Sequence, residues 1–321
     1  MPGLNLDRLE LESPIQLGSS PPQLPGGTRD GILRADRIES GPAMAVGIRM
    51  PFRFREDGRY ELASRARFRA LEGSIEIRKG SLVPGGEKAE ASLSLHADGL
   101  ALAPLARSRG LPPIEGRLSF DFDPIVLARG RGLEARGTLR IEAFGGAFTF
   151  QDLRIRNLSE PYSSLHLGRG TIDGLRLAEI GKVFGFGILS GVLRGEVRNL
   201  SFTGGEVSSF EIDVETVPVE GVPQYVDKRA IASIRRILSG PIGVIEEGLF
   251  SKFRYHQFGF WCQLQDGVFR LQGKYRISGV EYLMHGRWYQ FPRVDIVNAR
   301  PGKPYDWRSI VERIRGLGGS E

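Results

Sequence analysis

From Arg49 onward, apolar residues fall mostly at every second position. Phe52 and Phe54 alternate with Arg53 and Arg55, Asp57-Gly58 offers a hairpin turn, and Tyr60 and Leu62 return. Arg65, Arg67 and Arg69 mark one face of the next strand, and Ile75 with Ile77 and Leu93 with Leu95 continue the alternation. Further along, Leu118, Phe120 and Phe122 share a face. Leu139 and Ile141 lead into a predicted hairpin at Gly145-Gly146, and Phe148, Phe150, Leu153 and Ile155 return. The phase breaks at Gln151-Asp152, which predicts a bulge, while Arg140, Arg154 and Arg156 take the opposite face. One apolar and one charged side per strand is the mark of an antiparallel sheet wetted on one face.

This pattern recurs. Asp98-Gly99-Leu100-x-Leu102-Ala103 lies 75 residues before Asp173-Gly174-Leu175-x-Leu177-Ala178, and at the same offset Gly116, Leu118 and Gly130 answer to Gly191, Leu193 and Gly205. Eight positions stand in register without a gap. A fixed period marks a repeat architecture, in which each unit adds its strands to its neighbour's. Within Ile172 to Thr216 the order is a strand end, one or two helical turns, and two long strands joined at Gly204-Gly205.

Three regions follow. Residues 1–48 read as an irregular edge or truncated strands: Leu4, Leu6, Leu9 and Leu11 alternate loosely, but Ser19-Ser20-Pro21-Pro22 and Pro25-Gly26-Gly27 interrupt. Residues 49–220 form the β-repeat region, with units near 98–140 and 173–215. Residues 221–321 form a C-terminal module. It holds a helix over 227–239, capped by Asp227, lined by Ile231, Ile234, Ile237 and Leu238, and stopped at Gly240-Pro241. A hairpin over 258–275 turns at Asp266-Gly267, and Tyr282-Leu283 and Val294 to Val297 are further strands. An amphipathic helix over 306–316 carries Trp307, Ile310, Val311 and Ile314 between Asp306 and Gly316. The predicted class is all-β, mainly antiparallel, a long curved U-shaped sheet with a few short helices.

Composition agrees with a folded chain: 40% of its 321 residues are hydrophobic and 43 are glycine. The net charge of +6 fits an anionic partner or simply an Arg-rich surface. The aromatics lie on the apolar faces and do not interleave with arginines, which argues against nucleic acid. A single cysteine, Cys262, excludes an internal disulfide and a thiolate metal cage. No apolar run approaches the ~20 residues needed to cross a bilayer, and Met1-Pro2-Gly3-Leu4-Asn5 does not begin a signal peptide.

Chemistry is sparse. His96, His166, His256 and His285 are scattered, and no zinc spacing, Walker loop or nucleophile elbow occurs. Gly185-x-Gly187-x-x-x-Gly191 misses the dinucleotide fingerprint by one residue. Asp121 and Asp123, on one side of one strand, are the sole pair offered for metal binding or acid/base work, and such pairs are usually solvated surface. No catalytic residue, metal, cofactor or small-molecule substrate is identified.

From Leu93 to Thr216, the DGLxLA turns and the step Leu189-Ser190-Gly191-Val192-Leu193-Arg194-Gly195 resemble repeats of the AsmA-like superfamily, which includes the TamB and YdbH types. The C-terminal stretch Phe258-Gly259-x-x-Cys262-x-Leu264-x-Asp266-Gly267-x-Phe269-x-Leu271-x-Gly273, then Tyr282-Leu283 and Val294-Asp295-Ile296-Val297-Asn298-x-x-Pro301, resembles the YdbH-like branch, a dicarboxylate transport domain by name. The resemblance implies a trough, often called a β-taco, carrying phospholipid acyl chains between the inner and outer membranes. The chain would then be periplasmic, or associated with the inner membrane if part of a longer anchored protein. Leu118, Phe120, Leu139, Ile141, Phe148, Phe150, Leu193 and Val197 are the expected lipid-groove positions, with an ordinary closed core as the alternative. An assembly scaffold, binding envelope proteins at sheet edges or the C-terminal helix, comes second. A polysaccharide-acting enzyme comes third.

Overall fold

The computed structural model describes residues 4–12, 30–40, 43–55, 57–83, 90–108, 110–128, 132–156, 164–238, 242–246, 250–289, 291–298 and 300–316. Within them the chain is all-β and mainly antiparallel, with four short helices. Two compact units divide it: Met1–Ile141 with Gln151–Leu165, and Glu142–Phe150 with His166–Glu321.

In chain order the first elements are β1 (Leu4–Glu12), β2 (Asp30–Ser40), β3 (Ala43–Phe54), β4 (Tyr60–Leu62), β5 (Ala66–Ala70), β6 (Gly73–Val83), β7 (Glu90–Ala101), α1 (Leu102–Ser108), β8 (Gly116–Ala128), β9 (Gly132–Ala143) and β10 (Gly146–Arg156). Strand β1 pairs with β2 from Leu4↔Ser40 to Glu12↔Ile32, and β2 with β3. Both β4 and β5 lie beside β3 and β6, and β6, β7 and β8 follow in antiparallel order. Residues 4–12 and 30–40 form paired strands in the stretch whose sequence reads as an irregular edge or truncated strands. The prolines that suggested it stand between the two strands, and Ser19 to Pro22 and Pro25 to Gly27 lie outside the described residues.

Then come β11 (Ser164–Leu167), β12 (Gly170–Arg176), α2 (Leu177–Phe184), β13 (Leu189–Ser190), β14 (Val192–Thr203), β15 (Glu206–Val217), β16 (Tyr225–Asp227), α3 (Lys228–Leu238), β17 (Ile242–Glu246), β18 (Lys252–Arg254), β19 (Gln257–Gln265), β20 (Val268–Gly273), β21 (Tyr275–Ile277), β22 (Val280–His285), β23 (Val294–Asn298), β24 (Tyr305–Asp306) and α4 (Trp307–Arg315). In the second unit the first residues of β10 pair with β12, then β12–β14–β15–β19–β20 run antiparallel. A small sheet of β13, β16 and β18 stands beside them. Strand β22 pairs with β19, β21 and β23.

Short turns set the registers. Leu71-Glu72, Phe144-Gly145, Gly204-Gly205, Asp266-Gly267 and Ser278-Gly279 each have two positive φ angles, as two-residue type I′ hairpins require. The turn expected at Gly145-Gly146 therefore sits one residue earlier. Gly146 opens β10, where an added Cβ would stand 2.4 Å from Gly174 C and 2.5 Å from Asp173 O, so its glycine serves close approach of backbones.

The 75-residue repeat is structural as well. Helices α1 and α2 begin at Leu102 and Leu177, and β8 and β14 follow them. Just before each helix, pairing shifts between Ala97 and Leu100 and between Ile172 and Leu175, with Gly99 at φ 66° and Gly174 at φ 75°. Each Asp-Gly pair is thus a β-bulge that turns the chain into its helix. In both copies the residue before the helix donates its N–H to the hairpin turn: Ala101 to Leu71 O at 2.7 Å, Arg176 to Phe144 O at 2.8 Å. Gly130, the eighth matched position's partner, lies outside the described residues.

Candidate functional site

In the first unit the pairing makes rows that cross four strands. Phe68, Ile75, Ala97 and Phe120 form one row, and Ala66, Ile77, Leu95 and Phe122 the next. Phe120 stacks on Phe122 with centroids 5.4 Å apart. Phe122, Ile125 and Ala135 are the buried centre, with Leu95, Phe120, Leu133, Leu139 and Leu153 packed against it. Past that cluster, Leu82, Ala91 and Leu127 form a row and Gly80, Leu93 and Ile125 another. Here the apolar face opens: Leu82, Leu93 and Leu127 are 46%, 36% and 43% exposed.

Sequence reasoning placed Leu93 on a strand but missed Leu82 and Leu127. A signal was present in Pro124, which interrupts β8. Leu95 faces Phe122 while Leu93 faces Ile125, so the alternation slips by one residue at Asp123-Pro124 and brings Ile125 and Leu127 onto the face of Phe122.

The opposite face is ionic. Arg67, Glu76, His96 and Asp121 form a row between the apolar ones. Glu76 contacts Arg67 at 3.1 Å and Arg78 at 3.3 Å, and Arg78 reaches Asp121 at 3.0 Å. Hydrogen bonds from Arg78 and Arg67 hold the Glu76 carboxyl below its ordinary range. His96 Nδ1–H donates to Asp121 at 3.0 Å, and Lys79 stands 3.7 Å from Asp123. The two aspartates offered for acid/base work are thus separately engaged with cations.

The second unit has the same two-sided plan. One apolar row runs Phe150, Gly170, Val197, Ile212, Cys262 and Leu271, and its neighbour Phe148, Ile172, Gly195, Val214, Phe260 and Gly273. Between them, facing the other way, run Thr149, Thr171, Glu196, Asp213, Trp261 and Gln272. On that side Glu196 binds Arg169 and Arg198, each at 2.6 Å, and Lys274 binds Asp213 at 2.7 Å. A concavity of about 380 Å³ beside them is lined by His166, Gly168, Arg169, Arg198 and Asn199. Its two guanidiniums are already matched by Glu196.

Here the apolar face is more fully covered. Asp306 accepts the Ser309 N–H at 2.8 Å and starts α4, whose Trp307 packs on Phe210 and Phe269 at 5.4 and 5.8 Å. Asp227 accepts the Ala230 N–H at 2.7 Å and starts α3, which buries Ala230 and Ile231. Arg313 of α4 donates to Ile237 O of α3 at 3.1 Å. Gly240-Pro241, the expected stop of α3, lies outside the described residues.

The expected groove positions therefore separate into two kinds. Phe150, Leu193 and Val197 are 4%, 7% and 4% exposed and belong to the core of the second unit. The Phe150 ring lies over Gly170, where an added Cβ would be 2.5 Å away. Leu118, Phe120, Leu139 and Ile141 of the first unit and Phe148 of the second are half-buried. The glycine run that nearly matched a dinucleotide fingerprint is a packing seam. Gly185 ends α2 in the left-handed region, and a Cβ on Gly187 or Gly191 would strike Ala230 N at 2.4 Å or Tyr255 Oη at 2.3 Å.

Burial raises the Cys262 thiol to about 12. Among the described residues no group of three His, Cys, Asp or Glu is placed to hold a metal ion, and no helix is long and apolar enough to cross a membrane. Comparison with protein-family models, curated proteins and solved structures finds no match to the chain.

Proposed function

We propose that the chain is a non-catalytic protein of the bacterial envelope that shelters phospholipid acyl chains on the apolar face of its first unit, as part of a periplasmic bridge between the inner and outer membranes. The observation that carries this reading is the open leucine stripe. Leu82, Leu93 and Leu127 stay more than a third exposed on a face whose other positions are apolar, while the reverse face is laced with ion pairs. An exposed apolar stripe rimmed by polar residues marks a surface that receives an apolar partner. An acyl chain laid across β6, β7 and β8 spans roughly 10 Å of sheet, and each methylene it buries contributes about 0.8 kcal/mol. The resemblance of the repeats to AsmA-like proteins supports the same reading.

The test is native mass spectrometry of the protein purified from bacterial cells. Phospholipid at a reproducible ratio, lost in Leu93→Asp/Leu127→Asp while the melting temperature holds, supports the groove. A stable protein that never carries lipid overturns it and moves an envelope scaffold, binding partners by strand addition, into first place.

A further inference from the structure

The largest solvent-facing aromatics of the described chain gather at one point of the second unit. Trp288, Tyr289 and Phe291, in the connection from β22 to β23, are 85%, 57% and 63% exposed, and Phe250, just before β18, is 43% exposed. Leaving three such rings in water is costly unless something else receives them. The tip is also built firmly. Phe250 and Phe291 meet edge to face at 5.1 Å, Trp288 and Tyr289 at 5.7 Å, and Arg254 N–H donates to Pro292 O at 2.8 Å. Arg287 lies over the Tyr289 ring at 5.7 Å and donates to His256 Nε2 at 3.1 Å.

Its charge has one sign. Phe250 to His256 and Gly286 to Arg293 hold Lys252, Arg254, Arg287 and Arg293 and no Asp or Glu. Arg293 is answered by the buried Asp295 at 3.7 Å, and Lys252 sits over the Tyr225 ring at 5.2 Å. Lys228, at the start of α3, adds a further exposed cation where its N–H meets Ser251 O at 3.3 Å.

We propose that this tip docks on the surface of an anionic phospholipid bilayer, with Trp288, Tyr289, Phe291 and Phe250 at headgroup depth and the exposed Lys252, Arg254 and Arg287 on the phosphates. Trp and Tyr settle at the membrane–water boundary because one end of the ring is apolar and the other polar, and each nearby cation adds attraction to an anionic leaflet. The tip projects rings outward with a basic surround, which suits a soft interface better than a preformed protein pocket. The proposal shares its lipid partner with the groove reading but uses none of the same residues, so either can fail alone.

Sedimentation with sucrose-loaded vesicles of phosphatidylcholine, with and without phosphatidylglycerol, tests it. The full chain is expected to bind the phosphatidylglycerol vesicles, to bind the neutral ones more weakly, and to lose affinity as salt screens the cations. Trp288→Ala, at a position that supports little of the fold, is expected to lower binding on the order of tenfold or more with an unchanged melting temperature. Leu93→Asp/Leu127→Asp is expected to leave vesicle binding intact. A wild-type chain that ignores both vesicles overturns the proposal, as a tip made for a protein partner would. A Trp288→Ala chain that binds as tightly as wild type overturns it too.

Discussion

Replacing Gly146 by alanine tests the bulge contact on which each repeat turns. Its φ is not positive, so alanine meets no conformational barrier there, and the effect is steric. The added Cβ would stand 2.4 Å from Gly174 C, 2.5 Å from Asp173 O and 2.5 Å from Leu175 N, all backbone. Ordinary contact begins at 3.4 Å, so β10 and the bulge must part by about 1.0 Å. Overpacking of that size costs about 1–3 kcal/mol, and weakening one ladder hydrogen bond adds about 1. Alanine's smaller loss of chain entropy offsets about 0.5–1 kcal/mol. The net of about 1–3.5 kcal/mol lowers the melting temperature by roughly 2–14 °C for a unit of this size. Gly73→Ala, in the other copy, meets Asp98 O at 2.5 Å and the backbone of Gly99 and Leu100 at 2.8 Å, and is expected to cost as much. Gly174→Ala is the control. Its nearest atom would be 3.9 Å away, and it pays only for its φ of 75°, about 1–2 kcal/mol. Differential scanning calorimetry reads all three. A Gly146→Ala protein that melts within a degree of wild type would refute the close-contact account.

Other outcomes follow from the same geometry. Phe150→Ala is expected to cost about 3–5 kcal/mol in a urea titration, because the ring is 4% exposed, whereas Leu127→Ala, at 43% exposure, costs under about 1.5; equal losses would place the two residues in equivalent surroundings. Cys262, buried and with its thiol raised to about 12, should resist a thiol reagent in native buffer and react in urea, and full native labelling would contradict its place in the apolar row. Arginine hydrogen bonds hold Glu76 and Glu196 below their ordinary value of 4.5. Their stabilisation is therefore complete above pH 4.5 and fades as pH falls through the lowered folded values. Their contribution to the melting temperature should be lost only below about pH 5, so the drop in that range should be shallower in Glu196→Gln than in wild type.

The period-two alternation placed most strands correctly, because one wet and one dry face leave that trace in any sheet. The Gly204-Gly205 and Asp266-Gly267 turns, the Asp227 and Asp306 caps and the Gln151-Asp152 irregularity, where Asp152 has φ 59°, were also legible. Local chemistry specifies such features. What escaped depends on contacts distant in sequence. Phe144 takes a left-handed turn position because Gly146 is needed against the Asp173-Gly174 bulge, and nothing within the hairpin itself announces that. Likewise Phe150 and Leu127 look equally apolar in the chain. Only the packing of ring over Gly170, and the phase slip at Pro124, make one a core residue and the other a solvent-facing one.

The Asp-Gly bulges also bear on how such a chain can diverge. Within the apolar rows, Val, Ile, Leu and Phe exchange at modest cost so long as volume is kept, so their identities are free to drift. Gly73 and Gly146 have no such freedom, since any side chain meets backbone. The turn into each helix, at Asp98-Gly99 and Asp173-Gly174, therefore tolerates less change across from it than the strands around it do.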